Sequence, residues 1–322
     1  MKKVLVVYFS QSGQLERLAR SFMAPLEADP DVRVHWEALR PVRPYPFPWP
    51  IYRFFDTFPE AVWLDPPALH PFGFGQDERF DLIVLAHTVW YLSPSLPITG
   101  FLKSDHGRRV LKDTPVVTLI GCRNMWLMAQ ERTKQLLKEA GAHLIDNVVL
   151  VDQGNTLGTL FTTPYWMFTG NKRFPLNLFR PAGIAEADIE GAARFGRALD
   201  VALRTGTLPG GGPVLQGLKA VQVDDRLIAS ERIALRSFRI WGRLIRALGP
   251  QGNWKRVPIV SLYVLILVAL LVTVVPLSMV LRMLLRPLQR ERYARLKAEF
   301  ELPSGSGEDR MNEFWNVESS VH

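Results

Sequence analysis

The chain reads as an α/β protein built on a doubly wound, five-stranded parallel sheet, followed by a basic and strongly apolar C-terminal region. Two patterns predict the sheet. Short apolar runs recur at 3–9, 32–38, 80–86, 115–122 and 144–151, and stretches with helical apolar spacing fall at 14–26, 97–111, 126–140 and 184–203. Composition agrees: 322 residues, 48% apolar and 22% charged, suit one large domain or two modest ones and exclude a disordered or fibrous chain.

The first run opens Met1-Lys2-Lys3, which superficially resembles an export signal. Its apolar part, residues 4–9, is shorter than a signal core and leads into Ser10-Gln11-Ser12-Gly13 instead of a cleavage site, so it reads as a buried first strand. After the second strand, residues 40–78 hold nine prolines, interleaved with Tyr45, Phe47, Trp49, Tyr52, Phe54, Phe55, Phe58 and Trp63. That proline density predicts a long ordered excursion without a regular helix or central strand. Gly141 supplies a stop for the helix at 126–140. A second aromatic excursion spans 155–181, with Phe161, Tyr165, Trp166, Phe168, Phe174 and Phe179. The run Pro209-Gly210-Gly211-Gly212-Pro213 marks a domain boundary. The expected organisation is a domain at 1–205, a linker at 206–225, a basic amphipathic helix at 226–256, an apolar span at 257–281 and a polar tail at 282–322.

Charge is unevenly spread. Residues 1–200 carry 22 basic and 21 acidic side chains, whereas residues 226–297 carry 14 basic against Glu231 and Glu291 alone. The uncharged run 257–281, twenty-five residues long, would form a helix of roughly 37 Å, enough to cross a hydrocarbon core of about 30 Å. Basic charge beside such a run points to membrane lipid and not to nucleic acid. Within 226–248, Ala234, Phe238, Trp241, Ile245 and Leu248 share a helical stripe while Arg232, Arg236, Arg239, Arg243 and Arg246 lie mainly elsewhere, the pattern of a helix lying in a membrane surface. Cys122 is the only cysteine, which excludes an intrachain disulfide and a paired-cysteine zinc site and fits a reducing compartment. No metal site is expected. The domain is expected in the cytoplasm, held at the cytoplasmic membrane.

The strongest chemical signal follows the first strand. Ser10-Gln11-Ser12-Gly13-Gln14 forms the turn into a helix, where unpaired N–H groups, a positive dipole end and two hydroxyls can hold a phosphate. A serine-rich turn that merely caps a helix is the common alternative. With it go Thr88-Val89-Trp90-Tyr91 after the third strand and Cys122-Arg123-Asn124-Met125 after the fourth. Together these three segments resemble the FMN-binding loops of flavodoxin-like proteins over about residues 1–205. The resemblance implies sheet order 2-1-3-4-5, with Ser10, Gln11, Ser12, Gly13 and Gln14 holding the FMN phosphate and Thr88, Val89, Trp90 and Tyr91 along the flavin ring. Cys122, Arg123, Asn124 and Met125 would form a third wall. Leu15 stands where flavodoxins usually place a hydroxyl residue.

The motif Trp-Tyr-x-Ser-Pro-x-Leu-Pro is closer to FMN-dependent quinone reductases than to electron carriers; NAD(P)H is one candidate hydride donor, with oxygen the other redox partner left open. Segments 45–50, 54–60, 122–130 and 146–150 also resemble proteins labelled dialkylresorcinol condensing enzymes. Decarboxylative condensation needs an activated cysteine beside histidines, which this sequence lacks; aromatising a cyclic dione to a resorcinol removes two hydrogens, which is flavin chemistry. Arg123 is then the candidate for stabilising negative charge, with Tyr91 and His87 as proton partners. The two aromatic segments would make an apolar lid for a lipophilic small-molecule substrate; mutual packing or a homodimer surface is the alternative. Three readings stay open at this stage: a membrane-attached FMN oxidoreductase, an electron carrier, and a flavin-free scaffold.

Overall fold

The computed structural model describes residues 1–208, 212–285 and 290–315. In chain order, β1 (Lys2–Tyr8), α1 (Gln14–Ala28) and β2 (Val32–Ala38) are followed by α2 (Ile51–Trp63) and β3 (Leu82–His87). A two-stranded hairpin, β4 (Val89–Trp90) and β5 (Ser93–Pro94), leads into α3 (Leu96–Lys103) and α4 (Asp105–Leu111). Then come β6 (Pro115–Cys122), α5 (Leu127–Glu139), β7 (His143–Val151), α6 (Thr159–Thr169), α7 (Glu186–Glu190) and α8 (Ala193–Thr205). The C-terminal region holds α9 (Asp225–Arg246), α10 (Val257–Leu285), α11 (Arg290–Glu301) and α12 (Met311–Trp315).

The main sheet has order β2-β1-β3-β6-β7, with every pairing parallel. Counted without the hairpin this is 2-1-3-4-5, the flavodoxin-like order. Side chains alternate across the sheet as the strand period requires. Val4 and Val6 face Phe22 and Leu26 of α1 and Phe195 and Leu199 of α8, while Leu5, Val7, Ile83 and Leu85 face Ile98, Phe101 and Leu136 on the opposite layer. Helices α1 and α8 approach closely because Gly196 has no side chain: a Cβ there would lie 2.0 Å from the Phe22 carbonyl oxygen. The order reverses between β1 and β3, so the carboxyl ends of β1, β3 and β6 form one continuous rim.

Several expectations are corrected. The helix expected at 97–111 breaks at Ser104, whose hydroxyl accepts the Gly107 N–H at 2.9 Å and starts a new helix. The one expected at 184–203 divides into α7 and α8. The proline-rich segment does contain a helix, because Pro50 precedes α2 and Pro59 alone falls inside it. The expected linker is not free from Val214 onward: Leu215, Leu218, Ala220 and Val221 are fully buried, and the Asp146 carboxylate on β7 accepts the N–H groups of Val214 and Leu215 at 2.7 and 3.1 Å. Nor is the tail a detached polar segment. Phe300 enters the main core, and the buried Ser304 hydroxyl donates to Asp146 at 2.6 Å. Residues 286–289 and 316–322 of that tail, and 209–211 of the expected linker, lie outside the described residues.

The amphipathic helix stops at Arg246, and most of its expected membrane-facing stripe is covered by protein, Leu248 beyond the helix end staying exposed. Phe238 meets Phe58 of α2, Trp241 meets Tyr263 of α10, and Ile245 is fully buried. Apolar area is satisfied equally by a neighbouring helix or by lipid, so the pattern could not distinguish them. One helical stretch, Trp254–Leu271, is long and apolar enough to cross a membrane by length and composition, and most of it is exposed.

Candidate functional site

Ser10 to Gly13 leave the sheet at the end of β1, between the ends of β2 and β3. Gly13 turns the chain with φ +79°, a left-handed conformation that glycine adopts without strain, and no side chain caps α1. None of the described hydrogen bonds uses the backbone N–H groups of residues 11–15. The Ser10 hydroxyl accepts the Glu16 N–H at 3.3 Å, which leaves its own proton for an outside acceptor, and Ser12 is exposed. The two glutamines turn elsewhere. Gln11 donates to the Pro46 carbonyl at 3.0 Å, and the buried Gln14 amide accepts from Ile184 N–H at 3.2 Å and donates to its carbonyl at 3.4 Å. Their side chains brace the loop, and only their backbone groups remain to face a ligand.

The second segment begins with His87, which is fully buried at the end of β3; burial lowers its pKa to about 4, so the imidazole is neutral at pH 7. Its Nδ1 lies 3.4 Å from the Thr88 carbonyl and its Nε2 has no partner. Val89 and Trp90 pair with Pro94 and Ser93 in the hairpin, while Tyr91 and Leu92 turn with φ of 50° and 59°. Trp90 ends the strand and Tyr91 begins the left-handed turn, and that change of backbone direction separates the two aromatics. The Trp90 ring meets Phe9 at 5.9 Å, Tyr45 at 4.9 Å and Trp49 at 5.5 Å between centroids. Tyr91 turns toward α2 and α9: its hydroxyl donates to the Phe54 carbonyl at 2.8 Å, its ring packs on Phe58, and burial drives its pKa far up. The Tyr91 proton is thus committed to a carbonyl of α2.

At the end of β6, the N–H of Asp152 is shared between the carbonyls of Cys122 and Arg123, both at 3.0 Å, which ties this loop to the segment after β7. Burial, with the nearby Glu231 and Asp152 carboxyls, pushes the Cys122 thiol up, so it is no thiolate nucleophile. The Arg123 guanidinium donates from Nε to the Thr159 hydroxyl at 2.9 Å and from Nη2 to the Thr156 carbonyl at 3.4 Å. Burial lowers its pKa and Asp152 opposes that. Asn124 Oδ1 is buried without a partner, and Met125 packs toward α9 and α10.

Three supporting residues escaped the sequence reading. Glu231, fully buried on α9, accepts the N–H groups of Leu127 and Met128 at 3.3 and 2.8 Å and so caps α5 directly after the third loop. Arg132 donates to the Ser93 hydroxyl at 2.5 Å and the Val62 carbonyl at 2.6 Å, pinning the hairpin to α2. Asp152 holds the N–H groups of Gly154 and Gly183. Each joins positions far apart in the chain, and no local pattern announces them. The two aromatic segments pack on one another: Phe47 meets Trp166 at 5.9 Å, Phe54 meets Phe168 at 5.6 Å, and Trp49 N–H donates to the Met167 carbonyl at 2.8 Å. Among the described residues no group of three His, Cys, Asp or Glu could hold a metal ion.

No family model matches the chain, and no curated protein does. Among solved structures it is similar to a flavoprotein in complex with FMN from Lactobacillus acidophilus NCFM, at 18% identity and TM-score 0.38, covering 46% of this chain and 93% of that one. It is also similar to two-electron reduced Megasphaera elsdenii flavodoxin, at 20% identity and TM-score 0.26 over 45% and 84% of the two chains. A third is the Trp repressor binding protein of Bacillus subtilis, at 9% identity and TM-score 0.28 over 47% and 87%. The flavodoxin-like fold itself stands on strand order and direction.

The donor set at the rim fits a phosphorylated, ring-bearing cofactor. Unused N–H groups at 11–15 and the hydroxyls of Ser10 and Ser12 suit a phosphate, the partnerless Asn124 oxygen suits a ring N–H, and the aromatic wall at Trp90 suits an apolar ring system.

Proposed function

We propose that this protein is a membrane-attached, FMN-dependent oxidoreductase acting on a lipophilic cyclic dione, quinone or phenol. The observation that carries the reading is the set of unused donors at residues 11–15, at the same rim as the segments after β3 and β6. Ser10, Ser12 and the backbone of residues 11–15 would bind the phosphate, with Thr88, Val89 and Trp90 on one side of the ring and Cys122, Arg123, Asn124 and Met125 on the other. Bound there, FMN would supply two-electron redox chemistry, with NAD(P)H as the hydride source where the substrate is a quinone and a quinone-type acceptor as the oxidant where it is a dione.

The chain's own residues have simpler tasks. Phe9, Tyr45, Trp49 and Trp90 exclude water from the site. Arg123, oriented by Thr159, offers positive charge where a substrate oxygen gains negative charge. Neutral His87 holds no spare charge and supports the floor of the site. The apolar lid favours a substrate with alkyl or aromatic bulk. The resemblance to proteins labelled dialkylresorcinol condensing enzymes supports an aromatising step, in which a cyclic dione would give up two hydrogens to oxidised flavin and a quinone-type acceptor would take the two electrons on.

The test is a visible spectrum of detergent-purified protein incubated with FMN. The expected result is flavin absorbance that survives gel filtration and is lost in Ser12→Glu, where a carboxylate would face the phosphate. Failure of the unmodified protein to retain flavin, or unchanged retention by the variant, would remove the phosphate-loop assignment. Bleaching by NADH or NADPH and return of colour with a hydrophobic quinone would then establish turnover.

A further inference from the structure

Both ends of the apolar helix α10 are anchored to the same domain. At its start, the buried Arg256 pairs with Asp56 at 3.3 Å and Glu60 at 2.7 Å on α2, and Tyr263 stacks on Phe58 with centroids 4.6 Å apart. Beyond its end, Tyr293, Leu296 and Phe300 of α11 pack on the main core, Ser304 bonds Asp146 on β7, and the Phe314 carbonyl accepts from Arg197 on α8 at 2.7 Å. From Leu285 to Tyr293 the chain makes five connecting steps and three helical ones, a reach of about 22 Å at most. A hydrocarbon core is about 30 Å thick. Helix α11 cannot make the return crossing itself, since seven of its twelve residues are charged.

Between these anchors α10 presents Leu262, Leu265, Val268 and Leu270 outward. On α9, Ile233, Ile240 and Leu244 are at least half exposed and share one stripe, opposite the face that packs on α2 and flanked by Arg232, Arg236, Arg239 and Arg243. Arg232 also lines, with Arg292, Arg295, Glu291 and Leu296, a cleft of about 370 Å³ between α9 and α11. Among the described residues Arg236, Arg239, Arg243, Arg292 and Arg295 form no ion pair. Exposed apolar stripes bordered by unpaired arginines complement an anionic lipid surface.

We propose that α9 and α10 rest in the surface of an anionic bilayer which the chain enters and leaves on one face, and that the cleft of Arg232, Arg292 and Arg295 takes headgroup phosphate. The inference builds on the membrane half of the proposed function and is independent of the flavin. It is tested on the full chain in sealed membrane vesicles from expressing cells, using an impermeant maleimide. Thiols are introduced by Ala24→Cys on the globular domain and Asn312→Cys on the exposed side of α12, in a Cys122→Ser background. Both introduced thiols labelling on one side supports the proposal; labelling from opposite sides overturns it while leaving membrane attachment standing.

The cleft is tested by flotation with phosphatidylcholine vesicles and with vesicles containing phosphatidylserine. Stronger flotation on the anionic vesicles, reduced at least tenfold by Arg292→Gln with Arg295→Gln, is expected. Equal flotation on both, or no effect of the two substitutions, overturns the headgroup assignment. A dimer that floats on neither, its apolar faces covered by a second copy, overturns the whole proposal and the membrane reading with it. Flavin retention, measured on the unmodified chain with Cys122 in place, reports on the redox reading separately.

Discussion

Replacing Glu231 by glutamine is expected to change how stability depends on pH. The carboxyl is fully buried, and burial raises its pKa from an ordinary 4.5 to about 7, against the opposing pull of the Met128, Leu127 and Trp126 N–H groups at the start of α5. Between those two values the unfolded chain has released the proton and the folded chain retains it. The stabilisation is therefore complete below pH 4.5 and is lost as pH rises through 7. At about 1.36 kcal/mol per pH unit, the gap gives about 3 kcal/mol. Glutamine mimics the protonated acid at every pH.

Urea unfolding of both proteins in the same detergent, from pH 4.5 to 8.5, isolates the effect. Asp146, itself raised to about 6, titrates in both and cancels in the difference. The two proteins should have similar stability near pH 4.5, with the unmodified protein weaker by about 3 kcal/mol at pH 8.5. A difference that stays flat across that range would refute the account of Glu231 as a proton-holding cap. Because the capped helix begins directly after Cys122 to Met125, flavin retention should weaken over the same interval.

Arg256→Ala leaves Asp56 and Glu60 buried without their cation and should cost about 3–5 kcal/mol, measured by urea unfolding; Arg256→Met with Asp56→Leu and Glu60→Met should recover much of that loss. Gly196→Ala puts a Cβ 2.0 Å from the Phe22 carbonyl and should force α1 and α8 apart, lowering the thermal midpoint by several degrees, whereas Ala24→Gly on the exposed face of α1 should cost only about 1 kcal/mol. Trp90→Ala removes the ring on which Phe9, Tyr45 and Trp49 meet, and increased proteolysis confined to residues 40–50 is the expected readout.

The strands were legible because each is a short apolar run, and a sheet covered on both faces demands that of its central members. Residues 3–9 differ by a single position at each end from Lys2–Tyr8, and β6 was placed residue for residue. Proline density over 40–78 conceals helix α2, because all of those prolines but Pro59 lie outside it. The loop proposed to hold phosphate was visible as Ser10 to Gly13, a local motif. Its side-chain division was not, since Gln14 is held by Ile184, 170 positions away, and Gln11 by Pro46. The opposite fates of Trp90 and Tyr91 needed the hairpin, which two-residue strands cannot signal.

The amino-acid sequence alone determined the layered parallel sheet, the rim at which a ligand would sit and the presence of a long apolar helix, because hydrophobic period and helix-start chemistry act over a few residues. Tertiary structure decided what covers each apolar face and which partner each buried charge finds. Phe238 and Trp241 could have met lipid and instead meet Phe58 and Tyr263; Glu231 could have been a surface carboxylate and instead caps α5. The hydrophobic effect rewards removal from water without naming the neighbour, and a hydrogen bond needs its partner's position, so neither outcome is written in local pattern.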